Sequence, residues 1–165
     1  MARIVARLEN AWVSVSATTR APREGEVDGV HYRFLSNGEF DELVAHDGFL
    51  EWAGVHSKRY GTPRGPVEEH LEDGCTVIVE IDVQGAFQVK EKMPEAHLVF
   101  IDAPSIEVIE QRLRGRGTES EDVIAARMQT ALVELSQKEK YDYVLVNDDL
   151  DRATDELMSY IEQQA

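Results

Sequence analysis

Three short apolar runs, Val77-Ile-Val79, Leu98-Val-Phe-Ile101 and Val144-Leu-Val146, are each followed by a stretch with helical spacing. A strand that is apolar without alternation packs on both faces, as the strands of a parallel sheet do. Parallel neighbours need crossover connections, and the helical stretches supply them. One helix starts near Val83 and ends at Met93-Pro94; another opens at Ser105 and carries Ile106, Ile109 and Leu113 at positions i, i+3 and i+7. Thr118-x-x-Glu121 reads as a capping box opening a long helix with Ile124, Met128, Ala131, Leu132 and Leu135 inward. A last helix presents Ala153, Leu157 and Ile161. The pattern predicts an α/β domain with a mostly parallel sheet and helices on both faces.

The first part of the chain has a different texture. Residues 2–9 read as an amphipathic helix fragment, with Ile4, Val5 and Leu8 opposite Arg3, Arg7 and Glu9. So short a helix needs tertiary support in water. Trp12 to Ala17 reads as the first strand. From Arg20 to about Arg64 come short aromatic-rich strands, glycine turns and one helix. That helix starts with the capping box Ser36-x-x-Glu39, turns Phe40, Leu43 and Val44 inward, and stops near Gly48. Pro66 to Asp73 reads as a short helix ended by Gly74, and Thr76 to Ile81 as a buried strand.

Charge narrows the partners. The net charge of -15 argues against binding nucleic acid or an anionic membrane surface, both of which reward positive patches. An anionic small molecule then needs local arginine clusters. No apolar stretch approaches membrane-spanning length. The single cysteine, Cys75, cannot form an internal disulfide, which suits a reduced, cytoplasmic setting. The histidines (His31, His46, His56, His70 and His97) show no metal-ligand spacing.

One such arginine cluster is evident. In Ser14-Val-Ser-Ala-Thr-Thr-Arg-Ala-Pro-Arg23, an apolar alternation runs into Arg20 and Arg23, and Pro22 keeps the loop extended. Gly25 and Gly29 punctuate a turn before Tyr32 and Phe34. Two guanidinium forks on a braced loop match an anion two bonds at a time, although a lone Arg-x-x-Arg is ordinarily solvated charge. Glu51, between Leu50 and Trp52, reads in isolation as the solvent-facing residue of an edge strand, and Asp82 as a helix N-cap. Arg114-Gly-Arg-Gly117 in isolation is a turn.

The same loop is followed by Phe49-Leu-Glu-Trp-Ala53, Tyr60-Gly-Thr62, Glu80-Ile-Asp-Val-Gln-Gly85 and Arg112-Leu-Arg-Gly-Arg-Gly-Thr118. These motifs, in this order and spacing, resemble guanylate kinases, the enzymes that move a phosphoryl group from ATP to GMP. The resemblance runs from about residue 3 to the C-terminus. It implies a P-loop nucleoside-monophosphate-kinase-like parallel sheet in a single domain over 1–165, with a GMP-binding lobe inserted at 20–65 and a lid at 114–128. It implies that Ser16, Arg20, Arg23, Tyr32 and Tyr60 hold the GMP phosphate, while Glu51 and Thr62 read the base and Glu80 and Asp82 complete the pocket. A carboxylate accepts from N1–H and the exocyclic amine of guanine, and adenine offers no matching pair. Asp82 would also orient, through water, the Mg²⁺ that accompanies ATP. Arg112, Arg116 and Arg127 become the catalytic arginines, and Asn147 lies near the adenine.

The sequence departs from the family at one point. The family opens with a strand and a Gly-rich phosphate loop of the G-x-x-x-x-G-K-[ST] type, and residues 1–165 contain no such stretch. The implied central strand of the sheet is then missing, ATP binding is expected to be weak or absent, and the expectation for the sheet is a gap, a rearrangement, or another copy of the chain covering the open ladder as a homo-oligomer. Two functional readings follow: phosphoryl transfer from ATP to GMP in purine nucleotide metabolism, or a GMP-binding or protein-interaction module that keeps the fold without transfer.

Overall fold

The structure of the chain, a computed structural model, describes residues 2–55, 57–115 and 120–164. It divides into two units, residues 1–96 and 97–165. In the first, α1 (Ala2–Val5) leads to β1 (Ala11–Val13), β2 (Ala17–Thr18), β3 (Arg33–Phe34) and α2 (Asn37–Ala45). There follow β4 (Phe49–Val55), β5 (Lys58–Pro63), α3 (Arg64–Glu72), β6 (Thr76–Ile78) and α4 (Val83–Lys92). The second unit holds β7 (Val99–Asp102), α5 (Ile106–Arg114), α6 (Glu121–Leu135), a 3₁₀ turn at Lys138–Lys140, β8 (Tyr143–Val146) and α7 (Leu150–Gln164).

The architecture is the expected mixture of helices and parallel strands. β1 pairs in parallel with β6, and β7 with β8, in register from Val99↔Tyr143 to Asp102↔Val146. Between β1 and β6 in sequence lies a four-stranded sheet of order β3-β2-β5-β4. Its β4 and β5 are antiparallel, as are β5 and β2.

Several boundaries differ from the sequence reading for physical reasons. α1 is one turn rather than residues 2–9, in keeping with the cost of nucleating an isolated helix. The expected strand Trp12–Ala17 is two strands. Ser14 N–H still donates to Ile78 O at 2.9 Å, but Ala17 has already joined β5 and β3 in the other sheet. The apolar alternation is continuous while the partner changes. β6 ends at Ile78 rather than Ile81. α3 begins at Arg64, two residues before Pro66, which sits in the first turn where its missing N–H costs nothing. Ser120 is the N-cap residue of α6, and Thr118, the expected cap, lies outside the described residues. Leu132 is 47% exposed, not inward. At 100° per residue it sits about 80° from Ile124, outside the stripe that Met128, Ala131 and Leu135 share with that residue.

The strands expected to be covered on both faces are only partly so. Among the described residues β6 has β1 as its one hydrogen-bonded neighbour, and β7 has β8. Ile101 is accordingly 52% exposed, and Val144 and Val146 are exposed too.

Two apolar clusters hold the first unit. Ala17, Phe40 and Phe49 are buried together under Leu35, Leu43 and Val44; Leu50, Val67 and Val89 are buried with Trp12, Val77 and Ile81. Each large side chain so buried contributes about 1.5–3 kcal/mol. Phe49 and Leu50 are sequence neighbours serving different clusters. Alternation along a strand puts such neighbours on opposite faces; beyond them a register shift falls between Phe49 and Glu51, with Phe49 paired to Pro63 and Glu51 to Thr62, so one extra residue is accommodated on β4.

Candidate functional site

The same bulge decides where Glu51 goes. Strict alternation from a buried Leu50 would turn Glu51 to solvent, but Phe49, Leu50 and Glu51 are all buried, Glu51 at 6% exposure. The edge-strand reading of Glu51 in isolation is thereby overturned. Its Oε1 accepts a hydrogen bond from the Thr62 hydroxyl at 2.7 Å, directly across the β4–β5 ladder. Burial pushes the carboxyl above its usual range; Thr62 opposes this, and the charge of Asp82 adds to it. A buried carboxylate with one oxygen unclaimed by these bonds is built to accept donors from a ligand.

Helix α4 arrives beside it. Asp82 is its N-cap, with Oδ1 accepting from Gly85 N–H at 2.8 Å. The Glu51 carboxylate approaches Gly85 so closely that a Cβ there would lie 2.9 Å from Glu51 Oε2. One turn on, Gln88 bonds both backbone groups of Trp52, accepting from its N–H and donating to its C=O, each at 3.2 Å. β4 is an edge strand of its sheet, and Gln88 occupies backbone positions that a further strand would take. Gly85 and Gln88 were not identified as site residues from sequence. Nothing local marks them, since their role depends on the helix meeting β4.

The arginine loop is braced from several sides. Thr18, fully buried, donates to Arg59 O at 2.9 Å and accepts from Arg20 N–H at 3.1 Å. Arg33 N–H donates to Ser16 O at 2.9 Å, and Asp28 Oδ1 accepts from Phe34 N–H at 2.8 Å. Gly25 and Gly29 adopt φ of +84° and +76°, the left-handed region that glycine enters without strain. The Arg20 guanidinium lies 5.3 Å from the Tyr32 ring centre, and Tyr32 meets Tyr60 edge-on at 6.1 Å. Arg20, Tyr32 and Tyr60 are therefore one cluster. Arg23 is exposed on the same loop.

Arg20 is also engaged by Glu26, which the sequence reading passed over. Its Nη1 and Nη2 donate to the two carboxylate oxygens at 2.8 and 2.9 Å, and Arg23 N–H donates to Glu26 Oε2 at 2.6 Å. The Arg20 fork and the Arg23 amide hold the Glu26 carboxyl down at about 2. The contact spans six residues inside a loop, where no periodicity announces it. Ser16, Tyr32 and Glu80 also line a cavity of about 450 Å³ with Ser14 and His31. The first unit thus brings together Ser16, Tyr32 and Glu80 around the cavity, Arg20 and Tyr60 beside Tyr32, and Glu51 with Thr62 and Asp82.

In the second unit, Arg112 on α5 donates from Nη2 to Asn147 O at 2.8 Å, joining two of the expected residues at the carboxyl end of β8. Arg114 bonds Glu110 within α5 and Glu121 at the start of α6. Arg127 is exposed on α6, and Arg116 lies outside the described residues.

The chain is similar to known proteins over most of its length. The guanylate kinase family model matches residues 5–164. The chain is 49% identical over 157 residues to a guanylate kinase of Synechococcus sp. (strain CC9311), covering 95% of this chain and 83% of the relative. It is 50% identical over 151 residues to that of Carboxydothermus hydrogenoformans, covering 92% and 74%. Among solved structures, a guanylate kinase from Anaplasma phagocytophilum superposes with a TM-score of 0.79 at 34% identity, covering 99% of this chain and 81% of that one.

Proposed function

The chain belongs to the guanylate kinase family, and from that premise we propose that it binds GMP and takes part in phosphoryl transfer from ATP to GMP, giving ADP and GDP. The observation that carries the reading is the buried Glu51–Thr62 pair, a carboxylate held by a hydrogen bond across two paired strands. Glu51 accepts from N1–H and N2–H of guanine while Thr62 holds the carboxylate in plane. Arg20, Arg23, Ser16, Tyr32 and Tyr60 take the phosphate, and Glu80 and Asp82 close the pocket. A GMP phosphate oxygen then attacks the terminal phosphorus of ATP in line as the bond to the ADP oxygen breaks. Arg112, together with Arg116 and Arg127 of a lid over 114–128, stabilises the charge that develops on the transferring group, and Asn147 lies by the adenine.

Mg²⁺ accompanies ATP in such reactions and neutralises phosphate charge. Among the described residues no group of three or more His, Cys, Asp or Glu side chains is placed to hold a metal. Asp82 is exposed and uses Oδ1 for its cap, which leaves Oδ2 for a metal-bound water. No described helix is long and apolar enough to cross a membrane. A cytoplasmic role in purine metabolism, and a homo-oligomer that covers exposed strand faces, complete the proposal.

A second reading is a GMP-binding or protein-interaction module that keeps the fold without transfer. Calorimetric titration with GMP and AMP tests what both readings share. GMP is expected to bind more tightly than AMP, and Glu51→Gln or Arg20→Ala each to weaken GMP at least tenfold, because a hydrogen bond to a charged group contributes about 1.5–3 kcal/mol. Unchanged affinity in both variants would sink the assignment. A coupled assay with ATP and GMP then separates transfer from binding.

A further inference from the structure

Arg20 presents an unusual account of its donors. A guanidinium has five N–H groups. One Nη1 hydrogen goes to Ala21 O at 2.8 Å, the other to Glu26 Oε2, and one Nη2 hydrogen to Glu26 Oε1. The Nε–H and the second Nη2–H, which share one edge of the plane, take no part in these three bonds, and the Tyr60 hydroxyl also interacts with the guanidinium. The pair is shielded, with Arg20 and Glu26 side chains only 15% and 18% exposed. Tyr32 and Phe34 rings lie 5.3 and 5.7 Å from the guanidinium carbon. Glu26 reaches this position because its Oε2 also accepts from Arg23 N–H, which ties the carboxylate to the loop that carries both arginines.

We propose that Glu26 is a positioning residue for the phosphate site: it grips the end of the Arg20 guanidinium and leaves the Nε–Nη2 edge as the fork offered to the phosphate of GMP. This deepens the GMP-binding reading and rests on it. Glu26 does not touch the ligand. It spares Arg20 the ordering that a long side chain otherwise undergoes when it binds, and it ties the Arg20 side chain to the Arg23 backbone.

The alternative physics has the opposite sign. A carboxylate beside a phosphate site repels the phosphate, so if Coulomb repulsion dominated, neutralising Glu26 would tighten GMP binding. Positioning predicts weaker binding. Glu26→Gln keeps the size of the side chain and one acceptor oxygen while losing the two-oxygen grip. Guanosine, which lacks the phosphate, serves as the internal control for a loop that has merely come apart.

The experiment is titration of wild type and Glu26→Gln with GMP, AMP and guanosine, by calorimetry and, for the weaker guanosine, by NMR shift changes. The expected result is a GMP dissociation constant raised about tenfold with guanosine binding unchanged. Unchanged or tighter GMP binding by the variant overturns the inference, and so does an equal loss for GMP and guanosine, which would make Glu26 a structural residue only. A wild-type chain that does not prefer GMP to AMP defeats the GMP-binding reading itself, a result distinct from the other two.

Discussion

At Glu51 two effects compete within one side chain. Burial and the charge of Asp82 raise its pKa above the ordinary 4.5, while the Thr62 hydroxyl favours the charged form. In the free protein a raised carboxyl pKa contributes stability below the unfolded value, and that contribution is lost as pH rises through the raised value. Guanine reverses the preference, because N1–H and N2–H donate to the ionised form. GMP affinity is therefore expected to rise with pH through the Glu51 titration. The phosphate of GMP also titrates, but identically for wild type and Glu51→Gln, so the ratio of their dissociation constants isolates the residue. That ratio is expected to grow as pH is raised from about 4.5 and then level off. A ratio flat over the whole range would show that Glu51 does not bind the base as an ionised carboxylate. Glu26 behaves oppositely: its pKa, depressed to about 2 by Arg20 and the Arg23 amide, means its contribution is present above 4.5 and lost only as pH falls through that low value.

Between elements, the close approach of α4 to β4 carries the next expectation. A Gly85→Ala substitution inside a helix ordinarily stabilises by about 1 kcal/mol. Here its Cβ would fall 2.9 Å from Glu51 Oε2 and 3.2 Å from Glu51 Cδ, so the carboxylate must turn away from Thr62. The variant is expected to melt within a few degrees of wild type yet to lose at least tenfold of its preference for GMP over AMP. An unchanged preference would mean the carboxylate relaxes without leaving the base. The same pair of elements shows what the sequence could reveal. The caps at Ser36, Asp82 and Ser105 were legible because a cap is a local bond between neighbours three apart. The burial of Glu51 was not, because a bulge on β4 depends on its pairing with β5. Nor was the split between β1 and β2, where an unbroken alternation of apolar residues changes partner sheets. The residues proposed to read the base and hold the phosphate were chosen from motif order alone, whereas the contacts of Glu26, Gly85 and Gln88 become visible only in space.

At the scale of the whole molecule, stability and ligand are linked. β6 and β7 each have one strand neighbour among the described residues, and Ile101, Leu132 and Val133 are 52%, 47% and 64% exposed. Apolar surface left in water forfeits stabilisation, at roughly 25 cal/mol per Å², from a total that is only about 5–15 kcal/mol for an ordinary domain. A ligand that binds the native chain and not the unfolded one adds RT ln(1 + [L]/Kd), about 2.7 kcal/mol at a hundredfold excess over Kd. For a chain of this size each kcal/mol moves the midpoint by about 2–4 °C. GMP at that excess is therefore expected to raise the melting temperature by about 5–10 °C, while AMP at the same concentration does far less. The shift should grow with the logarithm of GMP concentration, which separates linkage from a non-specific salt effect. The residues that bind GMP in this reading lie at positions 16–82, so hydrogen exchange should slow at β2, β4 and β5 when the nucleotide is added. Equal shifts from GMP and AMP, or protection confined to residues beyond 97, would contradict a guanine-reading site built on Glu51 and Thr62.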